Sequence, residues 1–204
     1  MEQVQQPRLK ADREYRRFNC FEIRSPLEDM QESNFMYVEG YALMFDQPTV
    51  IYEMDGIEYK EVIARNALNN TDMTDVIMNY DHEGKVLART RNKTLELRVD
   101  EKGLFIRANL GGTEEGRELY EEIMGGYVDK MSFAFTAQSS EYDKQTRTRT
   151  ITGIKKIYDV SAVSIPAYDS TTIQARSFFN LEREKELALD SANRRRKLLL
   201  KTFC

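Results

Sequence analysis

Lys130-Met131-Ser132-Phe133-Ala134-Phe135-Thr136-Ala137 alternates so that a serine faces one way and two phenylalanines the other. A period of two predicts a β-strand with one buried face, and Phe133 and Phe135 are its core side. Working outward, Ser140-Glu141-Tyr142-Asp143-Lys144-Gln145 reads as a charged hairpin tip. It leads into strand character from Thr146 to Tyr158, then a further strand, Asp159 to Ile165, ended by Pro166. Upstream, Gly125-Gly126 stops a segment, Thr113 to Met124, whose apolar residues fall at helical spacing. Thr113 suits its N-cap, with acids in the first turn.

Further upstream the strand pattern returns. Leu95–Val99 and Leu104–Leu110 flank the turn Asp100-Glu101-Lys102-Gly103, and Val76–Asn79 forms another short run. Asp55-Gly56 supplies the positive φ of a tight turn between Val50–Tyr52 and Ile57–Ile63. Phe35–Ala42 and Phe18–Arg24 complete the strands, and Asn66–Asn70 reads as a short helical or turn segment. Many antiparallel strands with inserted helices predict an α+β domain, mainly an antiparallel β-barrel or sandwich.

The chain of 204 residues suits one domain with tails. Residues 1–17 are polar and charged, and read as a flexible arm; 18–177 form the domain; 178–204 form a charged helical tail. That tail ends in Arg194-Arg195-Arg196-Lys197, although the whole chain carries a net charge of −4. The overall acidity argues against general nucleic-acid binding; the basic end reads either as a solvated helix end or as a segment that docks on an acidic partner or on another protein. No run is apolar enough to span a membrane, and the first residues lack the apolar stretch of a signal peptide. The chain is therefore expected to stay in the compartment that makes it. Cys20 and Cys204 have no metal-ligand spacing, and with one histidine a zinc site or other cofactor has no support.

That histidine, His82, lies in Met78-Asn79-Tyr80-Asp81-His82-Glu83-Gly84, where an apolar run gives way to turn-forming residues. A serine hydroxyl is a weak nucleophile until a base takes its proton. Any serine–histidine chemistry in this chain must pass through His82. Taken singly, His82 reads as a turn histidine, Ser132 as a small strand residue and Asp159 as a strand-end charge near Lys155 and Lys156.

Their order along the chain changes the reading. Glu39-Gly40-Tyr41-Ala42 with Phe45 is followed by Glu61-Val62-Ile63-Ala64-Arg65-Asn66-Ala67, then Asn79-Tyr80-Asp81-His82. Lys102-Gly103-Leu104, Thr113-x-x-Gly116, Met131-Ser132-Phe133-Ala134-Phe135, Asp159-Val160-Ser161-Ala162-Val163 and Pro166-Ala167-Tyr168 complete the series. The succession resembles the HK97-type phage prohead (capsid maturation) proteases, which share the fold of the herpesvirus assembly proteases. Three positions depart from the usual pattern. Asn-Tyr-Asp-His stands where Asn-His-Asp is common, Ala134 replaces a glycine, and Asp159 replaces a glutamate.

The resemblance implies a serine endopeptidase with Ser132 as nucleophile and His82 as base. Asp159 is favoured as the acid behind the histidine, with Asp81 its rival. A two-residue shift along a strand would keep His82 on the same face. The resemblance further implies action in the bacterial host cytoplasm, inside assembling proheads. The substrates would be scaffold, or a scaffold-like segment of the major capsid protein, and the chain itself; a homodimer is also expected. A non-enzymatic capsid assembly module of the same fold is the alternative. A general hydrolase would need a Gly-x-Ser-x-Gly elbow, which Ser132 lacks.

Overall fold

One strand carries most of the architecture. In the computed structural model, which describes residues 13–18, 36–164 and 172–202, β10 (Thr148–Val163) is sixteen residues long. It pairs antiparallel along its length with β9 (Lys130–Asp143). Its other edge takes two parallel partners in succession. These are β4 (Ile57–Ile63) beside Thr148–Ile151 and β5 (Ile77–Tyr80) beside Asp159–Ala162. Strand β1 (Glu14–Phe18) closes the far side of β9, β3 (Thr49–Met54) extends from β4, and β6 (Glu83–Arg89) pairs with β5. A second, three-stranded sheet runs β2 (Tyr37–Met44), β8 (Gly103–Asn109), β7 (Leu95–Val99). The fold is α+β; among the described residues it has two open sheets, with antiparallel pairings in the majority.

The two sheets share a core in which Val38, Leu43, Met78, Leu104, Phe133 and Phe135 are fully buried. Helix α1 (Glu114–Met124) lays Leu119 and Ile123 on this core. Its Thr113 hydroxyl accepts from the Gly116 amide at 3.0 Å, the expected cap. Two glycines are fixed by crowding. A Cβ on Gly116 would lie 2.2 Å from the Leu110 carbonyl oxygen, and one on Gly103 would lie 2.0 Å from that of Leu43. No side chain fits at either place.

Several elements differ from the sequence reading. The strand expected at Phe18–Arg24 lies outside the described residues apart from Phe18. Residues 14–17, expected in a flexible arm, are instead part of β1. The two strands expected between Thr146 and Ile165 are one, because β-bulges absorb the breaks in alternation, including that between Ile157 and Asp159. The turn joining β9 and β10 lies at residues 144–147, later than expected. Beyond the core both strands run on, with Gln138–Glu141 of β9 exposed and Arg149 of β10 buried. β6 was not anticipated because Glu83 to Val86 are all exposed and show no alternation.

Helix α2 (Thr172–Thr202) begins before the expected tail. Phe179 is buried against Tyr59 and Tyr142, with ring centroids 5.0 and 5.9 Å away. From Leu181 to Arg195 most side chains face solvent.

Candidate active site

Strand register sets the site. Ser132 on β9 stands opposite Ser161 on β10, which in turn stands opposite Asn79 on β5. Residues so paired point to the same side of a sheet, and Asp159, two residues from Ser161, joins them. Three strands thus present a serine, a second serine, an amide and a carboxylate on one patch.

His82 reaches this patch from a turn. Tyr80 pairs with Glu83, so Asp81 and His82 form a two-residue hairpin connection between β5 and β6. Both have positive φ, 48° and 62°, the backbone of a type I′ turn. The expectation of a strand residue shifted by two does not hold, because left-handed residues do not follow the pleat. The turn folds the ring back over the sheet. Asp81 faces away and anchors the turn by accepting from the Ser164 amide at 3.2 Å and the Ser164 hydroxyl at 2.7 Å.

His82 Nδ1 lies 2.6 Å from Asp159 Oδ1, and Nε2 lies 2.6 Å from Ser132 Oγ. An ionised carboxylate only accepts, which assigns the ring proton to Nδ1 and leaves Nε2 free to accept from the serine. The Arg16 carbonyl oxygen lies 2.9 Å from Ser132 Oγ and accepts the same hydroxyl proton in competition with His82 Nε2. Ser161 Oγ is 2.9 Å from Asp159 Oδ1, 3.0 Å from Asn79 Oδ1 and 3.2 Å from His82 Nδ1. Its single proton serves one of the two oxygen acceptors. Asp159 and Ser132 are buried, at 5% and 0% exposure, so these bonds form away from bulk water. The structure therefore brings together His82, Ser132 and Asp159, and holds Asp81 apart.

A family model of the caudovirus prohead serine proteases matches residues 22–184. The chain belongs to this family. Among solved structures, the bacteriophage T4 capsid assembly protease gp21 is similar at 13% identity and a TM-score of 0.49. That match covers 76% of this chain and 99% of the other. Comparison with curated proteins gives no match.

This prohead protease surrounds the cluster with residues that carry no signal in the sequence. Ser161 and Asn79 lie within the motif series, and only the register, Ser161 opposite Ser132 and Asn79 opposite Ser161, joins them to the site. Tyr15 and Arg16 lie in the stretch that reads as an arm, and nothing in their local sequence separates them from solvated charge. Yet the Tyr15 ring meets the His82 ring edge-on, at 4.8 Å and 74°. A cavity of about 530 Å³ lies beside the turn, between β6 and α1. Tyr80 and Asp81 line it, and Ser132, His82 and Asp159 do not.

Beneath β1 the protease holds four alternating charges. Arg16 is fully buried, with Nη2 2.9 Å from Glu61 Oε2, a second bond from Nε to Glu61 Oε1, and another to Glu14. Arg149 meets Glu14 through Nη1 at 2.8 Å and Nη2 at 3.2 Å, and reaches Glu61 at 3.2 Å. Burial acts to lower the Arg16 guanidinium, but Glu61 and Glu14 hold it above its ordinary value. Burial acts to raise the Glu14 carboxyl, yet Arg149 and Arg16 keep it below its ordinary value.

The docked strand therefore binds fewer protons than a detached one. Its attachment is at full strength above the ordinary glutamate value and weakens as pH falls through the lower, docked value. Hydrogen-exchange protection of residues 14–18 is expected to drop on acidification while that of β8 holds. Parallel loss in both strands would contradict this assignment.

Proposed function

We propose that this chain is a serine endopeptidase that cuts scaffold, or the scaffold-like segment of the major capsid protein, inside assembling proheads, and also cuts itself. The observation that carries this reading is the unbroken relay from Asp159 through His82 to Ser132, with both links at 2.6 Å. Family membership supplies the setting, and the relay supplies the chemistry.

Ser132 Oγ attacks the scissile carbonyl carbon as His82 Nε2 takes its proton. The imidazolium so formed is stabilised by the Asp159 carboxylate, which keeps its own charge. His82 then gives the proton to the leaving amine, and an acyl ester remains on Ser132. Water, activated by the same imidazole, splits the ester and restores the hydroxyl. Ser161 acts one step back. With its proton on Asp159 Oδ1 it fixes the oxygen that faces Nδ1, and so fixes the tautomer that leaves Nε2 able to accept.

Co-expression with the capsid protein, followed by intact mass spectrometry, tests the reading. The wild-type chain is expected to shorten the capsid protein, and Ser132→Ala is expected to enter the same particles and leave it at full length. Full-length capsid protein with both chains would favour the non-enzymatic assembly module. Shortening by both chains would remove Ser132 from the chemistry.

A further inference from the structure

We propose that β1 lies in the active site as the enzyme's own substrate strand, with Glu61 forming the pocket that recognises arginine before the scissile bond. The bond cut is Arg16–Arg17. This deepens the protease reading above and rests on it.

Three observations converge. First, β1 is an extended segment paired antiparallel with the nucleophile strand, in the register Arg17 opposite Ser132. Main-chain addition of this kind is a common way to hold a peptide. It places the Arg16 carbonyl oxygen 2.9 Å from Ser132 Oγ. Since a carbonyl bond is about 1.23 Å long, the carbon lies within about 4.1 Å of that nucleophile. Attack begins from about 3–3.5 Å, so at most about 1 Å of closure separates this position from a reactive one.

Second, the side chain of this residue occupies a built pocket. Arg16 and Glu61 are both 0% exposed, and the guanidinium meets both carboxylate oxygens. Arginine is almost never fully buried without such a partner. A desolvated ion pair contributes little net stability compared with well-packed apolar groups, whereas its forked geometry discriminates strongly between side chains. Recognition explains this arrangement better than strand anchoring does.

Third, the charges are divided between strand and body. The strand brings Glu14 and Arg16, and the body meets them with Arg149 and Glu61. The same surface therefore selects the pattern Glu-x-Arg, with the middle residue turned toward His82 as Tyr15 is. While uncut, β1 fills the position an incoming peptide needs, so the chain holds itself silent until the strand leaves.

In the self-cleavage step, Ser132 Oγ bonds to the Arg16 carbonyl carbon and the C–N bond to Arg17 breaks. The serine proton passes through His82 Nε2 to the Arg17 nitrogen, which departs as an amine. Water then hydrolyses the ester, leaving a carboxylate on Arg16 and the hydroxyl on Ser132.

The test uses the full chain, wild type and Ser132→Ala, with intact mass measurement over time, and a synthetic peptide of residues 10–19 as substrate in trans. The wild-type chain is expected to lose residues 1–16, and Ser132→Ala to stay whole. The peptide is expected to be cut after Arg16 on the order of 100-fold faster than the same peptide carrying Arg16→Gln. In the enzyme, Glu61→Gln should erase most of that preference. The peptide pair with unaltered enzyme keeps the test decisive if that variant does not fold. Equal rates on both peptides, or self-cleavage only at other bonds, would overturn the arginine pocket and leave the protease reading standing. Failure to hydrolyse the peptide, the capsid protein and the chain itself would overturn both.

Discussion

His82→Asn is expected to lower kcat for capsid-protein cleavage by roughly 10⁶-fold while leaving the melting temperature close to that of the wild type. The chain has one histidine, so no second imidazole can stand in. Asparagine is the suitable replacement because it tolerates the left-handed backbone that His82 adopts at φ 62°. Alanine would add strain at the same position and confuse a folding effect with a chemical one. The amide that replaces the ring has no nitrogen able to take a proton from Ser132. Single-turnover cleavage followed by mass spectrometry, with a thermal melt beside it, reads both quantities. Cleavage at an unreduced rate would show that the proton leaves Ser132 by another route.

Asp159→Asn is expected to cost on the order of 10⁴-fold in kcat, with the geometry of the site retained. The substituted amide can donate to Nδ1, which stabilises the tautomer bearing its proton on Nε2. That proton would face Ser132 Oγ and prevent it from being activated. Asp81→Asn, by contrast, should change kcat by less than about 10-fold, since Asp81 binds Ser164 and holds only the turn. Comparing the two variants under identical conditions separates the rival acids. A larger loss from Asp81→Asn would reverse the assignment.

What could be read from sequence was local. Alternation around Ser132 gives β9, Asp55-Gly56 gives the hairpin between β3 and β4, and Thr113 with the acids after it gives the start of α1, because each signal lies within a few residues. The long-range features were not legible in that way. β10 has a parallel neighbour on each half of one edge, and no periodicity within its own residues distinguishes that from an antiparallel partner.

The site divides along the same line. Ser132, His82 and Asp159 stood out through the order of their motifs. The approach of His82 did not, because a two-residue turn with positive φ is invisible in a tract that reads as the end of a strand. Ser161 and Asn79 are small polar residues among apolar neighbours, and only register reveals what they face. Arg16 and Glu61 are 45 positions apart and each looks like a solvated charge until the fold joins them.

Strand β1 is five residues long and, among the described residues, is the outermost member of its sheet on that side. A molecule deprived of it would present β9 as a raw margin, with a ladder of amide and carbonyl groups lacking mates. Such a margin is adhesive. In dilute solution it would gather the molecules into clumps whose size grows with concentration. In a crowded interior it would zip onto whichever straight stretch of polypeptide is most abundant nearby.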